Sequence, residues 1–499
     1  MYPGNLAKKY EDKPAFIMAS TGETVTYREF EERSNQLAHF LRDEGLEKGD
    51  HYSIFMENNN RYLESNSAGE RAGLIYTCIN SYLKEGELAY ILVNSDSKIL
   101  ITSLSKLDTV KKAVKQCSVL KKILVVGAEE APLPNGMHDF VTAISQKPTS
   151  PIQDESLGAA MLYSSGTTGQ PKGIMLSHEN IESNALALKE TWNFNKEDSL
   201  LHALPIYHVH GLFVALGCVF LSGSKIIWID TFDTDRVIEI LPKCTVMMGV
   251  PTYYTRLISN PNLNKEIVGN IRVFVSGSAP LLEDTFNQFH SKTGHFILER
   301  YGMTETNIIC SNPIKGKRKA GTVGLPLKDQ KLKIVDDNFN NLDEGEIGNI
   351  QVSGPNVFKS YWNLPDKTSE DFSNDNFFNT GDKGFIDEDG YLTIVGRSKD
   401  MIISGGLNVY PKEIESIIDD LEGVDESAVI GVKDDDLGEK VVTFVVKKAG
   451  SEITKDALLS YLKKDIAGFK VPKDIIFIEE LPRNAMGKVQ KNILRENYQ

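Results

Sequence analysis

The ten residues SSGTTGQPKG, positions 164–173, follow directly on an apolar segment at positions 159–163. Three glycines let the backbone curl around an anion, and four hydroxyl groups, the backbone N–H groups and Lys172 can donate to phosphate oxygens. The Walker pattern GxxxxGK[ST] is not satisfied here. The stretch therefore predicts a phosphate-binding loop of another kind, placed immediately after a strand.

Working outward from this loop, amphipathic helical patterns alternate with short runs rich in Val and Ile. The spacing predicts helices over residues 28–42 and 106–116, and strands over residues 51–56, 98–102 and 122–126. This alternation favours an α/β fold. The 499 residues suffice for about three structural units.

The last hundred residues indicate a separate unit. A turn at residues 387–390 precedes a predicted strand at 391–395, and residues 396–399 indicate a break. The pattern then predicts a helix from Pro411, strands at 427–432 and 441–446, and a helix at 455–465. We expect an N-terminal domain of residues 1–396, a hinge at 397–400 and a small α+β domain of residues 401–499.

Composition excludes several classes of protein. The net charge of −14 offers no basic field for nucleic acid. Five cysteines without a CxxC pattern indicate free thiols in a reducing compartment, and the polar first residues lead us to expect no secretory or organellar presequence. The longest apolar stretch, residues 211–221, is shorter than the ~20 residues of a membrane helix. We expect a cytoplasmic monomer or homodimer that binds no nucleic acid and is not an integral membrane protein.

Further motifs follow the loop in a fixed order. They are SGSAP at 276–280, YGMTET at 301–306, TGD at 380–382, GRSKD at 396–400 and PRNAMGKVQK at 482–491. Together with the loop, these motifs resemble those of the adenylate-forming (AMP-binding) superfamily in its acyl-CoA synthetase branch. The resemblance covers essentially the whole chain. It implies a large N-terminal α/β domain of several subdomains, a small mobile α+β C-terminal domain, ATP and CoA as co-substrates, and Mg²⁺.

The resemblance also implies a nucleotide site. Tyr301 is expected to stack on adenine, Asp382 to accept the ribose hydroxyls with help from Arg397, Thr304 to contact the α-phosphate, and Glu305 to hold Mg²⁺ together with Thr168. The complete set of implied ATP- and AMP-binding residues is Ser164, Ser165, Gly166, Thr167, Thr168, Gly169, Lys172, Ser276, Gly277, Ser278, Ala279, Tyr301, Gly302, Met303, Thr304, Asp382 and Arg397.

Two half-reactions follow from the same resemblance. Lys488 is expected to stabilise charge while a carboxylate attacks ATP to form an acyl-adenylate and pyrophosphate. Rotation about Lys399 then brings the face formed by Ser404, Gly405 and Gly406 to the site, where a thiol displaces AMP. Free CoA is the expected thiol, and a separate carrier protein stays open as an alternative.

The acid is predicted from the pocket residues. Residues 205–211 and 251–256 are expected to line it; His208 either adjoins the reacting carboxylate or is a hydrogen-bonded core histidine. Residues 174–499 resemble the malonyl-CoA synthetases, in which paired arginines, here Arg256 and Arg300, bind the distal carboxylate of malonate. Residues 1–173 resemble general acyl- and aryl-CoA synthetases. A fatty or aromatic monocarboxylic acid, with Arg256 on a helix surface, remains the alternative.

Overall fold

The fold is described by a computed structural model that covers residues 4–129, 131–164, 171–405, 407–434, 437–484 and 487–498. The predicted fold class is confirmed: the chain is a mixed α/β protein with a large N-terminal and a small C-terminal domain. The candidate residues Ser165, Gly166, Thr167, Thr168, Gly169 and Gly406 lie outside the described residues.

The largest sheet has nine strands. Their order across the sheet is Leu325–Pro326, Asn307–Ser311, Leu298–Met303, Val273–Ser276, Val246–Gly249, Ser199–His202, Lys225–Trp228, Pro14–Met18 and Thr24–Thr26. The strands from Leu298–Met303 to Pro14–Met18 pair in parallel. Strand Val273–Ser276 is buried at every position, as expected for a parallel strand covered on both faces.

A second sheet of eight strands carries the glycine-rich loop. Its order is Ser360–Tyr361, Lys172–Ser177, Ala159–Ser164, Ile75–Cys78, His51–Phe55, Ser97–Ser103, Lys122–Val126 and Met137–Asp139. The strands that flank the loop are antiparallel, and Ser164 pairs with Lys172. The two described ends of the loop are therefore held side by side, at the ends of these two neighbouring strands.

Two smaller sheets complete the molecule. One contains Lys331–Val335, Gly348–Ser353, Phe378–Ile386 and Leu392–Arg397 in that order. The C-terminal sheet has the order Leu407–Val409, Ile402–Ser404, Gly438–Lys447 and Val424–Asp434, and Asp474–Ile478 also pairs with Gly438–Lys447. The C-terminal residues thus form a sheet of their own.

The helices cover and connect the sheets. They are Gly4–Lys9, Tyr27–Asp43, Tyr62–Ala72, Glu85–Asn94, Leu107–Ala113, Phe140–Ile144, His178–Thr191, Leu216–Ser222, Thr234–Ile240, Pro251–Ser259, Glu283–Thr293, Pro365–Asp371, Pro411–Asp419, Lys455–Asp465 and Lys491–Asn497. The prediction of a single α-helix over residues 106–116 is wrong. The chain instead forms 3₁₀ turns at Leu104–Lys106 and Val114–Gln116 around a short α-helix, because the tighter turns terminate it at both ends.

The strand predicted over 391–395 has other bounds in the structure. The strand runs over Leu392–Arg397 instead of 391–395, so Arg397 belongs to the sheet, where it pairs with Asp382. The change of direction begins at the 3₁₀ turn Ser398–Asp400. The pairing with strand Phe378–Ile386 extends the strand past Gly396, and this long-range contact has no signature in the local sequence.

The long apolar stretch lies in the N-terminal core. It forms a π-helix at His210–Ala215 that continues into helix Leu216–Ser222, and nearly all of its residues are buried. Among the residues the structure describes, no helix is both long and apolar enough to cross a membrane. All five cysteines are buried free thiols.

An ion pair between the buried carboxylate of Asp198 and the half-buried guanidinium of Arg272 connects the residues that precede two parallel strands. Asp198 accepts two hydrogen bonds of 2.8 Å from Arg272, one at each carboxylate oxygen. Asp198 also accepts from Thr245 at 2.8 Å, and Arg272 donates to the carbonyl of Trp192 at 2.8 Å. This fork geometry is the strongest form of such a pair.

We expect Asp198→Ala to lower the free energy of unfolding by about 3 kcal/mol, because it leaves the Arg272 guanidinium without its carboxylate. The measurement is urea unfolding followed by circular dichroism and tryptophan fluorescence. Asp12→Ala is the control: Asp12 pairs with Arg28 at the exposed surface, so we expect a change under about 0.5 kcal/mol. Equal losses in the two variants would contradict the assignment.

Candidate active site

The candidate site lies where the parallel strands of the nine-stranded sheet end. Strand Val273–Ser276 leads into the loop at residues 277–281, and the neighbouring strand Leu298–Met303 carries Arg300 and Tyr301. The end of a parallel sheet leaves strand-end loops free to bind ligands while the buried strands hold them in place. Ser276 is fully buried at this point, and Gly277 is buried beside it.

Tyr301, Asp382 and Arg397 form one hydrogen-bonded group. The Tyr301 hydroxyl donates to Asp382 Oδ2 at 2.5 Å, and Arg397 Nε lies 3.3 Å from Asp382 Oδ1. Burial, reinforced by the Asp382 carboxylate, raises the pKa of Tyr301 well above its ordinary value. The structure therefore brings three predicted nucleotide residues together, with an aromatic ring and a carboxylate side by side.

Glu305 lies close to the described end of the glycine-rich loop. It is buried, and its Oε1 accepts a hydrogen bond of 3.3 Å from the hydroxyl of Tyr361. The ammonium group of Lys172 lies 5.3 Å from the centre of the Tyr361 ring. Burial raises the pKa of Glu305. Thr304, Gly302 and Met303 are partly exposed beside it.

Lys488 reaches this group from the C-terminal domain. It lies on a tight turn in which Asn484 and Lys488 exchange backbone and side-chain hydrogen bonds. The residue is solvent-exposed overall. Loss of water around its ammonium group, followed by repulsion from Arg397, lowers the pKa of Lys488 to about 8, while Asp382 and Glu305 act in the opposite direction. The pKa of Lys488 therefore depends on both the positive and the negative groups of the site.

Two histidines of the predicted pocket segment lie here, His208 half-buried and His210 buried. Burial and, secondly, the charge of Lys488 lower the pKa of His208 to about 3, so this imidazole is neutral at pH 7. His208 Nε2 has no hydrogen-bond partner among the described residues. His210, which the sequence analysis did not single out, is buried, and its Nδ1 lies 3.2 Å from Ser278 Oγ.

Arg300 is a buried cation. Its Nε and Nη2 atoms have no hydrogen-bond partner in the part of the chain that the structure describes. A Cβ built on Gly277 would lie 2.4 Å from Arg300 Cζ, so the guanidinium occupies the space that a side chain at position 277 would take. Burial lowers the pKa of Arg300 to about 9. Such a group needs an anion to compensate the loss of water.

Arg256 lies in a different environment from Arg300. It sits on helix Pro251–Ser259 and is exposed, as the alternative interpretation of the sequence had it. It nevertheless lines a cavity of about 230 Å³, together with Tyr253 and with Arg483 of the C-terminal domain. Only Arg300 therefore has the burial that the paired-arginine prediction requires of both residues.

The remaining predicted residues belong to the C-terminal domain and its connection. Lys399 is exposed within the turn Ser398–Asp400. Ser404 is buried at the end of strand Ile402–Ser404, and the Gly405 N–H donates to the carbonyl of Leu437 at 2.8 Å. These contacts lie within the C-terminal domain, on a hairpin separate from the turn that carries Lys488.

The comparisons with known proteins identify the class. The AMP-binding enzyme family model matches residues 5–362, and the model of the AMP-binding enzyme C-terminal domain matches residues 413–488. The chain belongs to the AMP-binding enzyme family. Within that family it is an AMP-forming acyl-CoA ligase, which confirms the resemblance noted in the sequence.

Individual relatives carry different substrate names. The malonate–CoA ligase of Arabidopsis thaliana is 35% identical over 455 residues, which cover 83% of this chain and 72% of that protein. The long-chain-fatty-acid–CoA ligase of Salmonella typhimurium is 33% identical over 526 residues, which cover 98% and 92%. The crystal structure of ATP-bound MatB from Rhodopseudomonas palustris is 43% identical with a TM-score of 0.92, covering 100% of this chain and 99% of that chain.

The lowered pKa of Lys488 can be measured directly. We expect its rate of modification by an amine-reactive reagent, followed by mass spectrometry, to reach half of its maximum near pH 8. The sign follows from the chemistry: only the neutral amine reacts, and the pKa is below the ordinary 10.5 of lysine. Lys463, on the surface of helix Lys455–Asp465, is the internal reference. A rate for Lys488 that keeps rising to pH 10 would contradict the environment described here.

Proposed function

We propose that this enzyme is a malonate–CoA ligase, which converts malonate, ATP and CoA into malonyl-CoA, AMP and pyrophosphate. The observation that carries the proposal is the buried Arg300 guanidinium, whose Nε and Nη2 atoms find no acceptor among the described residues. A carboxylate at the far end of the acid would pair with it, whereas the apolar tail of a monocarboxylic acid would leave a buried cation unpaired. The name of the Arabidopsis relative, a malonate–CoA ligase, supports the same substrate.

In the first half-reaction, a carboxylate oxygen of the acid attacks the α-phosphorus of ATP, and the bond to the β-phosphate oxygen breaks to release pyrophosphate. Tyr301 stacks on adenine and Asp382 accepts the ribose hydroxyls, both held by their mutual hydrogen bond. Lys488 and Thr304 donate to the oxygens on which negative charge develops. The backbone of residues 277–279 lines the other side of the base.

The Glu305 carboxylate is suited to binding a magnesium ion that arrives with ATP. This carboxylate is buried, and it accepts a long hydrogen bond of 3.3 Å from the Tyr361 hydroxyl. Mg²⁺ commonly binds through one or two carboxylates, with substrate phosphates and water completing its ligands. When bound, the ion would neutralise phosphate charge. The described residues contain no group of three His, Cys, Asp or Glu that could hold a metal by themselves.

In the second half-reaction, the CoA sulfur attacks the acyl carbon of the adenylate, the acyl–phosphate oxygen bond breaks, and AMP leaves. We propose that the C-terminal domain turns about Lys399, which lies in the exposed turn Ser398–Asp400. This rotation would withdraw Lys488 and present the hairpin that carries Ser404 and Gly405. The small residues at its tip would allow the pantetheine arm to approach closely.

Lys488→Ala tests the adenylation role. We expect malonate-dependent exchange between pyrophosphate and ATP to fall by at least about 100-fold, because the charge aimed at the reacting phosphate is lost. Thioester formation from supplied malonyl-adenylate should persist, since Lys488 is withdrawn in that step. The matched control, Lys463→Ala, should leave both rates unchanged. Full exchange activity in Lys488→Ala would contradict the proposed role of Lys488 in adenylation.

A substrate panel tests the acid. We expect release of pyrophosphate and AMP with CoA to be fastest with malonate, compared with methylmalonate, succinate, acetate, octanoate and benzoate. Arg300→Leu should lower kcat/KM for malonate by at least about 100-fold, because a buried charge pair is lost. Its thermal stability should be unchanged or higher, since the described residues offer no hydrogen-bond acceptor to Nε and Nη2 of this buried cation.

One outcome would redirect the proposal, and a second would show which arginine binds the acid. If octanoate or benzoate were the best substrate, the enzyme would be a ligase for monocarboxylic acids and Arg300 would serve structure. If Arg256→Ala left malonate kinetics unchanged while Arg300→Leu did not, the distal carboxylate would be bound without Arg256. The exposure of Arg256 makes the second outcome the expected one.

A further inference from the structure

Hydrogen bonds within residues 484–488 close the turn that carries Lys488. The Asn484 N–H donates to the Lys488 carbonyl at 2.9 Å, and Asn484 Oδ1 accepts from the Lys488 N–H at 3.0 Å. The Gly487 N–H donates to the Asn484 carbonyl at 2.9 Å, and Gly487 has a φ of 72°, a left-handed conformation that glycine adopts readily. These bonds define the shape of the turn, but they do not fix where the turn lies on the C-terminal domain.

Arg483 connects this turn to the C-terminal sheet. Its Nη1 donates to the Gly487 carbonyl at 2.5 Å, and its Nη2 forms an ion pair with Glu426 on strand Val424–Asp434. The planar guanidinium holds its donors in a rigid fork, so it binds both acceptors in one geometry. The sheet therefore holds the carbonyl group next to Lys488 through a single side chain.

The Gly487 carbonyl is the point at which this contact acts on Lys488. It belongs to the same peptide unit as the Lys488 nitrogen, and a peptide unit is planar. Fixing the carbonyl oxygen therefore fixes the plane from which the Lys488 side chain extends. The effect on a reaction can be large, because a misplacement of about 1 Å can lower a rate by about 100-fold.

The contacts of Arg483 decide between two roles for its guanidinium. Arg483 lines the same cavity of about 230 Å³ as Arg256, so it could bind an anionic ligand itself. Both of its terminal nitrogen atoms, however, already have acceptors. The side chains of Arg483 and Glu426 are 27% and 24% exposed, so breaking this pair would separate charges where water compensates poorly. These contacts favour a role through Lys488 over direct binding of a ligand.

We propose that Arg483 is a positioning residue of the first half-reaction: by joining the Gly487 carbonyl to Glu426, it holds the turn so that the Lys488 ammonium group points at the reacting phosphate. This inference rests on the proposed role of Lys488 in adenylation. Arg483, Glu426 and Lys488 all belong to the C-terminal domain, so the contact moves with that domain. It orients Lys488 when the domain is placed for adenylation and has no part in the attack of the thiol.

Arg483→Ala tests the inference, with the acid that the substrate panel ranks first. We expect the exchange between pyrophosphate and ATP to fall by about 10- to 100-fold, because the turn that carries Lys488 loses its attachment to the sheet. Thioester formation from supplied acyl-adenylate should be unchanged, since Lys488 is withdrawn in that step. Arg483→Lys, which keeps the charge but not the fork, should recover part of the exchange activity.

A double-mutant cycle separates positioning from a structural or ligand-binding role. If Arg483 acts through Lys488, its removal has no further effect in a protein that already lacks the lysine. We therefore expect the variant that combines Arg483→Ala with Lys488→Ala to have the same exchange rate as Lys488→Ala alone. A further fall in the double variant would show that Arg483 acts on the substrate or the fold directly, and it would overturn the assignment.

Lys470→Ala is the matched control. Lys470 donates to both oxygens of Glu413 at 2.6 and 2.8 Å, and this ion pair of the C-terminal domain has side chains that are 23% and 39% exposed. It joins residues outside the Lys488 turn, so we expect the exchange rate of the wild type. An equal fall in Lys470→Ala and Arg483→Ala would show a general effect of ion pairs in this domain and contradict the specific role of Arg483.

The outcomes separate this inference from the proposed function. Full exchange activity in Lys488→Ala would refute the adenylation role of Lys488 itself. A loss of exchange in Lys488→Ala, combined with wild-type exchange in Arg483→Ala, would refute only the role of Arg483. If Arg483→Ala does not fold, Glu426→Gln decides, because the amide keeps the volume of the side chain and removes its charge. We expect a several-fold lower exchange rate with unchanged thioester formation, and unchanged exchange would overturn the proposal.

Discussion

The candidate site depends on an excess of positive charge at the ends of the buried parallel strands. Lys488 lies within electrostatic reach of Arg300 and Arg397 and of the carboxylates of Asp382 and Glu305. Glu299 is also within electrostatic reach of Arg300, but burial raises the pKa of Glu299 to about 7, so it is only partly charged at pH 7. Three cations thus face two full negative charges and a partial one, in a chain whose overall charge is −14. At an effective dielectric of 20, two unit charges 4 Å apart interact by about 4 kcal/mol, so such a cluster strongly favours anionic ligands. Nucleotide phosphates and carboxylates are the ligands that this charge suits.

The parallel strands hold the charged groups of the site in place. Buried strands such as Val273–Ser276 and Leu298–Met303 hold Arg300 and the loop at 277–281 in fixed relation, and the lack of a side chain at Gly277 makes room for the guanidinium. Donors held in place without their acceptor are already oriented when the substrate arrives. The energetic cost of leaving them unpaired falls on the empty enzyme, and substrate binding relieves it.

Local patterns in the sequence were sufficient for much of the fold. The helix at 455–465 and the strand at 122–126 have the predicted bounds, because each shows its own periodicity in side-chain polarity. The prediction over 106–116 was wrong because periodicity does not distinguish an α-helix from the tighter turns at its ends. The strand ending at Arg397 was placed too early because pairing with Asp382, not local propensity, determines where it ends.

The sequence by itself determined the class of enzyme. Its motifs lie on short segments, and their residue types and order can be recognised without a structure. It named Arg300 but treated Arg256 as its equal, and it placed His210 in the pocket segment 205–211 without giving it a role. Only the tertiary structure decided that Arg300 is buried with no acceptor for Nε and Nη2 among the described residues, that Arg256 is exposed, and that His210 meets Ser278, 68 residues further along the chain. The physical reason is that desolvation and Coulomb energies depend on burial and distance in space, and these arise only when remote segments pack together.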